Sequence, residues 1–118
     1  MTVLVVEDSA QVRARVVEML CEYGLQVVGE AATAAEAIAL TKSLRPQAII
    51  LDLNLPDRNG MDILPALKAH DPSPLVAVLT NNASPECRAR CLALGADHFY
   101  DKSREFEAVA NMLFRYAA

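Results

Sequence analysis

Several features that would assign this 118-residue chain to a specialised class of protein are missing from its sequence. No stripe of lysine and arginine is visible in a chain of formal net charge -4, which argues against direct binding of nucleic acid. No apolar run approaches the roughly 20 residues that a membrane helix needs, and a first strand beginning at about Thr2 leaves no room for a signal peptide. Repeats, linkers and low-complexity tracts are also absent. We therefore expect one soluble, cytoplasmic domain over residues 1–118.

Cysteine is scarce, and its three positions do not form a disulfide framework. Cys21, Cys87 and Cys91 make an odd number without framework spacing, which favours a reducing cytoplasm. Cys87 and Cys91 lie four residues apart on a predicted helix, a spacing that invites a metal-binding interpretation. Two thiols without a nearby histidine or further cysteine make a poor zinc site. We therefore interpret both as small apolar side chains near the core.

Short apolar runs alternate with helical patterns along the chain. Five strand–helix units follow one another with short loops, which predicts an α/β fold with buried parallel strands. The second strand is predicted at 25–28 and the third helix at about 61–68, before a fourth helix that Gly95 ends. The residues predicted to cap helices are Ser9 or Asp8 for the first, Thr33 for the second, Ser84 for the fourth and Ser103 for the fifth.

Residues suited to phosphate and metal chemistry stand where four of the apolar runs end. They are Glu7 and Asp8 after 3–6, Asp52 after 48–51, Thr80 after 76–79, and Lys102 after 98–101. In an open parallel sheet, ligands bind outside the carboxyl ends of the strands. Three carboxylates, one hydroxyl and one amine should therefore share one crevice. That set suits a hard divalent cation and a phosphoryl group.

Each of these residues has a simpler explanation when it is taken alone, since Asp8 can cap a helix and Asp52 can belong to a turn before Pro56. Neither explanation accounts for the occurrence of such residues at the ends of four predicted strands. Carboxylates that converge without a counter-ion repel one another and raise their own pKa values, whereas a bound Mg²⁺ accepts such oxygen ligands. Beside Mg²⁺, Asp52 can attack phosphorus and form an acyl phosphate. Lys102 would then neutralise a phosphoryl oxygen, and the hydroxyl of Thr80 would donate to another.

The whole chain resembles the receiver domains of two-component response regulators. The segments that carry the resemblance are Val5-Val6-Glu7-Asp8, Leu51-Asp52-Leu53-Asn54-Leu55-Pro56 with Gly60, Leu79-Thr80, Gly95-Ala96-Asp97, and Phe99 with Asp101-Lys102. The resemblance implies a doubly wound, flavodoxin-like fold of five parallel strands in the order 2-1-3-4-5 with five helices. It also implies that a sensor histidine kinase or a histidine phosphotransfer protein transfers a phosphoryl group to Asp52.

The resemblance further implies a role for each residue of the crevice. Glu7, Asp8, Asp52 and the main-chain carbonyl of Asn54 would bind Mg²⁺, and Lys102 and Thr80 would contact the phosphoryl group. Phe99 occupies the family's switch-aromatic position and would turn inward as Thr80 moves toward the phosphate. No enzymatic activity is expected beyond Mg²⁺-dependent self-phosphorylation and dephosphorylation. A chain that stops after the fifth helix is either a stand-alone receiver, which we expect, or a piece of a longer regulator.

The output surface is expected to lie on the fourth helix, the fifth strand and the fifth helix. In the last helix Phe106, Val109, Ala110, Leu113 and Ala117 form the predicted core stripe. Met112 points largely away from that stripe, and Phe114 and Tyr116 flank it. An apolar group beyond the core stripe indicates a surface that binds a downstream protein or a second copy of the chain.

The sequence departs from the family pattern at two positions. Asn81 follows Thr80, where the family usually has Ala or Gly, and its bulk is predicted to restrict access of small phosphodonors to Asp52. Ser103 follows Lys102 in place of the usual proline, so a trans Lys102–Ser103 bond is expected. These departures keep open an alternative, a pseudo-receiver that is never phosphorylated and acts as an interaction module. The sequence lacks the second acid and the cap of an aspartyl phosphatase and the phosphate loop of a flavin carrier.

Overall fold

The structure is a computed structural model that describes residues 1–117. Its elements are β1 (Thr2–Val6), α1 (Ala10–Glu22), β2 (Gln26–Ala31), α2 (Ala34–Leu44), β3 (Ala48–Leu51), a 3₁₀ turn (Gly60–Ile63), α3 (Leu64–Lys68), β4 (Leu75–Thr80), α4 (Pro85–Ala93), β5 (His98–Asp101) and α5 (Phe106–Ala117). The five strands form one parallel sheet in the order β2-β1-β3-β4-β5, which confirms the predicted fold. None of the helices in the described chain has the length and apolar character that crossing a membrane requires.

The hydrophobic core consists of two layers, one on each face of the sheet. Alternate residues of β1 illustrate the division, since Leu4 belongs to the cluster with α2, α3 and α4 and Val3 belongs to the cluster with α1 and α5. Cys87 and Cys91 are buried in the first cluster, and burial raises the pKa of the Cys91 thiol to about 12. Their interpretation as core side chains is confirmed.

Most helix starts follow the predicted capping chemistry. Of the two candidates for α1, Ser9 is the N-cap, and its hydroxyl accepts a hydrogen bond from the N–H of Val12 at 3.3 Å. Thr33 caps α2 in the same way, with the N–H of Glu36 at 3.1 Å. Ser84 caps α4 as predicted. The predicted third helix is divided into the 3₁₀ turn and the short α3. The strand β2 begins at Gln26 and ends at Ala31, three residues beyond the predicted end of the 25–28 strand.

The prediction that Ser103 caps the last helix is wrong. The side chain of Asp101 accepts hydrogen bonds from both the N–H and the hydroxyl of Ser103, at 2.9 and 2.7 Å. These bonds, which lower the pKa of the Asp101 carboxyl, close a turn at the point where a helix was expected. The carboxylate of Glu105 accepts from the N–H of Asp101, and α5 begins only at Phe106.

The predicted core stripe of α5 is correct in its centre and wrong at its end. Val109, Ala110 and Leu113 are fully buried, whereas Ala117 is exposed. Met112 does not point away from the core, because it is partly buried and contacts the cluster beneath α1 and α5. The exposed apolar residues of this helix are Phe114 and Tyr116, at 51% and 64% relative exposure.

Candidate functional site

Backbone hydrogen bonds between neighbouring strands bring the predicted site residues to one edge of the sheet. The N–H of Asp52 donates to the carbonyl of Val6 at 3.0 Å, so the end of β3 lies beside the end of β1. On the other side, the N–H of Lys102 donates to the carbonyl of Thr80 at 2.9 Å. The parallel pairing of β3 with β4 connects these two pairs of strands. The carboxyl ends of β1, β3, β4 and β5 therefore lie along one edge, as the strand-end rule requires.

The centre of the site is a buried ion-pair cluster. The Nζ atom of Lys102 lies 2.5 Å from Oε1 of Glu7 and 3.2 Å from Oδ2 of Asp52. The three side chains are only 12%, 6% and 7% exposed, in that order. The remaining oxygen of Glu7 accepts from the N–H of Ser9 at 2.9 Å, and Oδ1 of Asp52 is 3.4 Å from the N–H of Asn54. Of the two carboxylate oxygens of Asp52, Oδ1 therefore has the weaker hydrogen bond.

The buried cluster holds two carboxylates and one ammonium, and the pKa of Asp52 reflects this excess of negative charge. Burial raises the pKa of the Asp52 carboxyl, the Lys102 ammonium lowers it, and the Glu7 carboxylate raises it again, with a net upward shift. One ammonium thus does not fully compensate the cost of holding two buried carboxylates together. A second cation at this edge would favour the ionised form of Asp52.

The residues at these strand ends carry oxygen donors of the chemical type that a partly hydrated Mg²⁺ ion takes. No three side chains of His, Cys, Asp or Glu in the 1–117 range stand together as a complete ligand set. Mg²⁺ does not require one, since it usually takes one or two protein carboxylates and retains several waters. The exposed Asp8 and the less engaged oxygen of Asp52 are such carboxylates, and the exposed Asn54 lies two residues farther along. Glu7 is held by Lys102 and by the N–H of Ser9.

The loop after Asp52 passes so close to its own return segment that only glycine fits at position 60. A Cβ atom on Gly60 would lie 2.6 Å from the carbonyl oxygen of Asp52 and 3.0 Å from Cα of Leu53. The N–H of Gly60 also donates to the carbonyl of Leu53 at 2.8 Å. The predicted motif contained Gly60, and the structure supplies the steric reason for it.

Thr80, Asn81 and Phe99 lie where the sequence placed them, but Phe99 is already turned inward. Thr80 is fully buried, and its hydroxyl accepts from the N–H of Asn82 at 3.2 Å, while Asn81 is exposed. Phe99 as a whole residue is 5% exposed, and a guanidinium nitrogen of Arg88 donates to the Phe99 carbonyl at 3.3 Å. Asp71–Pro72 is the sole cis peptide bond of residues 1–117, so the bond after Lys102 is trans, as predicted.

Sequence reasoning missed Arg13, which contacts the main chain of Glu7. A guanidinium nitrogen of Arg13 donates to the carbonyl of Glu7 at 2.8 Å, and its Nε contacts the Glu30 carboxylate at 3.1 Å. Arg13 therefore links the end of β1 to β2. Its position inside the first helix carried no signal, because Glu30 is distant in sequence and lies on a neighbouring strand.

Comparison with known proteins identifies the family. The profile of the response regulator receiver domain matches residues 3–114, and the chain belongs to that family. A protein named CcdB from Bacillus subtilis is 30% identical over 94% of this chain and 96% of its own length. A protein-glutamate methylesterase/protein-glutamine glutaminase from Archaeoglobus fulgidus is 36% identical over 86% of this chain. The match covers only 30% of that longer relative.

A solved structure supports the same assignment. The signal receiver domain of the putative response regulator NarL from Mycobacterium tuberculosis superposes with a TM-score of 0.86 at 26% identity. The superposition covers 97% of this chain and 95% of that one. The chain is therefore a receiver domain of the two-component response regulator type, in both sequence and fold.

Proposed function

We propose that this receiver domain accepts a phosphoryl group on Asp52, in the presence of Mg²⁺, from a sensor histidine kinase or a histidine phosphotransfer protein in the cytoplasm. The observation that carries the proposal is the buried Asp52 at the end of the central strand β3, with the Lys102 ammonium 3.2 Å from one oxygen and its other oxygen weakly engaged. A nucleophile needs one free oxygen, and a developing phosphoryl charge needs a cation close by.

The chemistry follows from how these side chains are engaged. A carboxylate oxygen of Asp52 attacks phosphorus, an O–P bond forms, and the P–N bond to the donor histidine breaks with its electron pair returning to the imidazole. Lys102 can shift from Asp52 to a phosphoryl oxygen while its contact with Glu7 keeps the ammonium in the pocket. The Thr80 hydroxyl would donate to a second phosphoryl oxygen. Mg²⁺, held by Asp8, Asp52 and the Asn54 carbonyl with Glu7 beside them, would neutralise charge on the transferring group.

The direct test is intact-mass measurement after incubation with acetyl phosphate and Mg²⁺. We expect one phosphoryl adduct on the wild-type protein and none on Asp52→Asn or after chelation of the metal. An adduct that persists in Asp52→Asn would contradict the assignment of the acceptor. A wild-type protein that gains no adduct from any phosphodonor would favour the interaction-module alternative, in which the fold is kept and phosphorylation is absent.

Asn81 is exposed and follows Thr80 directly, and we expect its side chain to slow labelling of Asp52 by small phosphodonors. We expect Asn81→Ala to accelerate labelling by acetyl phosphate about two- to fivefold, which corresponds to about 0.5–1 kcal/mol in the barrier. Asn82→Ala is a matched control, because Asn82 is also exposed and contacts Thr80 through its backbone N–H, which the substitution leaves in place. Equal acceleration in both variants, or none in Asn81→Ala, would refute the gating role while leaving the acceptor unaffected.

The output surface is proposed to comprise α4, β5 and α5. Two observations support it: Phe99, at the family's switch position, lies on β5, and α5 exposes the rings of Phe114 and Tyr116. Transfer of charge to Asp52 would bias an equilibrium between two arrangements of this surface. A downstream protein, or a second copy of this chain, would bind the arrangement that phosphorylation favours.

A further inference from the structure

The segment that follows Asp52 must hold its shape if the Asn54 carbonyl is to serve as a metal ligand. Its base is fixed locally, because the N–H groups of Leu55 and Gly60 both donate to the carbonyl of Leu53, at 3.1 and 2.8 Å. Asn54 and Asn59 also form an isolated antiparallel bridge across the loop. These bonds close the neck of the loop but do not include its tip, residues 56–58.

The tip of the loop is anchored to a different part of the molecule by Asp57. Its carboxylate accepts a hydrogen bond from the N–H of Ala34 at 2.8 Å through one oxygen and from the N–H of Ala35 at 3.0 Å through the other. Ala34 and Ala35 are the first two residues of α2, which lies on the same face of the sheet as α3. The two hydrogen bonds lower the pKa of the Asp57 carboxyl, as expected for an anion at the positive end of a helix.

Local side chains already cap α2, so the two hydrogen bonds to Asp57 are additional to that cap. The hydroxyl of Thr33 accepts from the N–H of Glu36, and the Glu36 carboxylate accepts from the N–H of Ala32. Asp57 satisfies the two remaining N–H groups of the first turn from more than 20 residues away in sequence. The contacts of Asp57 therefore join the acceptor loop, residues 52–60, to α2, which starts beside the end of β2.

We propose that Asp57 is a positioning residue for the Mg²⁺-dependent reaction: by anchoring the loop tip to the first turn of α2, it holds the Asn54 carbonyl toward the acid cluster. The role rests on the proposed function, since it concerns the same metal and acceptor site. Asp57 is exposed, lies five positions after the acceptor and would contact neither Mg²⁺ nor the phosphoryl group. Its effect would therefore be on the affinity for the metal, and not on chemistry once the metal is bound.

The test measures Mg²⁺ binding to the wild-type protein, Asp57→Ala and Asp57→Asn in the absence of a phosphodonor. Binding is measured by calorimetry and by the amide chemical shift of Asn54. We expect Asp57→Ala to weaken Mg²⁺ binding about tenfold, which is the lower end of the range for residues that support metal ligands. Asp57→Asn keeps one acceptor oxygen, so its Mg²⁺ affinity should lie between those of the wild-type protein and Asp57→Ala. At saturating Mg²⁺, labelling by acetyl phosphate should return toward the wild-type rate.

Thr33→Ala is the matched control, because it removes a hydrogen bond from the same helix turn without touching the loop. It should leave Mg²⁺ affinity unchanged. Unchanged affinity in Asp57→Ala, or equal weakening in Thr33→Ala, would overturn the positioning role while leaving the proposed function intact. A wild-type protein that binds Mg²⁺ but is never phosphorylated would overturn the proposed function alone. A wild-type protein that binds no Mg²⁺ would overturn both.

Discussion

Replacement of Lys102 by Met is expected to destabilise the fold by about 3 kcal/mol at pH 7 in metal-free buffer, at the lower end of the range for breaking a buried ion pair. The ammonium lies within 3.2 Å of both buried carboxylates, and its removal leaves Glu7 and Asp52 side by side without a cation. Methionine keeps much of the length of the lysine stem, so the loss should come from charge and not from packing. Urea denaturation followed by circular dichroism measures it.

The pH dependence of this loss distinguishes charge from packing. In the wild-type protein Lys102 lowers the pKa of Asp52 against the larger effect of burial, so the pKa should rise further in Lys102→Met. A carboxyl whose pKa is raised in the folded state stabilises the fold below its unfolded pKa and loses that contribution as pH rises through the folded value. The deficit of the variant should therefore be small near pH 4 and largest at pH 7 and above. A deficit that is the same at every pH would contradict the electrostatic explanation.

A second substitution and the metal provide controls for Lys102→Met. Asp52→Asn removes the carboxylate whose burial is costly, so it should stabilise the wild-type fold at pH 7 and recover part of the loss in the double variant. A bound Mg²⁺ would supply the missing positive charge, so the affinity of the protein for Mg²⁺ should be unchanged or higher in Lys102→Met. A large loss of Mg²⁺ affinity in a folded Lys102→Met protein would contradict a role for Lys102 outside the metal ligands.

The parts of the site that sequence reasoning placed correctly are those that follow from topology alone. Apolar runs of four or five residues between helical patterns indicate buried parallel strands, and the carboxyl ends of such strands meet at one edge. This rule is sufficient to bring Asp52, Glu7 and Lys102 together, although they are up to 95 positions apart. No local propensity contains that information.

The features that sequence reasoning missed depend on side chains that choose between competing partners. Ser103 is a good cap by residue type, but Asp101 takes both of its donors, and the helix starts three residues later. Asp57 and Arg13 each bind a partner on an element that is distant in sequence. Met112 lies off the ideal stripe, yet it is partly buried, because a flexible side chain can bend back toward the core. Such outcomes depend on three-dimensional proximity, which a helical projection does not show.

Substitution of Gly60 by Ala is expected to impair both the fold and the acceptor site. The added methyl would meet the Asp52 carbonyl oxygen at 2.6 Å, and both close atoms belong to the backbone, so no side chain can move aside. We expect a loss of about 2–3 kcal/mol in unfolding free energy, within the range for overpacking. Relief of the clash must displace Asp52 or Leu53, so labelling by acetyl phosphate should also fall sharply.

Gly24→Ala is the matched control for this prediction. Gly24 has a φ of +77° and open space where a Cβ atom would lie, so alanine there costs conformational energy of about 1–2 kcal/mol without a clash. It lies between α1 and β2, away from the acceptor loop, and the labelling rate of this variant should match that of the wild-type protein. Gly60→Ala should thus differ from Gly24→Ala mainly in labelling, even where their stabilities are similar. Normal labelling in a folded Gly60→Ala protein would show that the close approach at the loop is not needed to position Asp52.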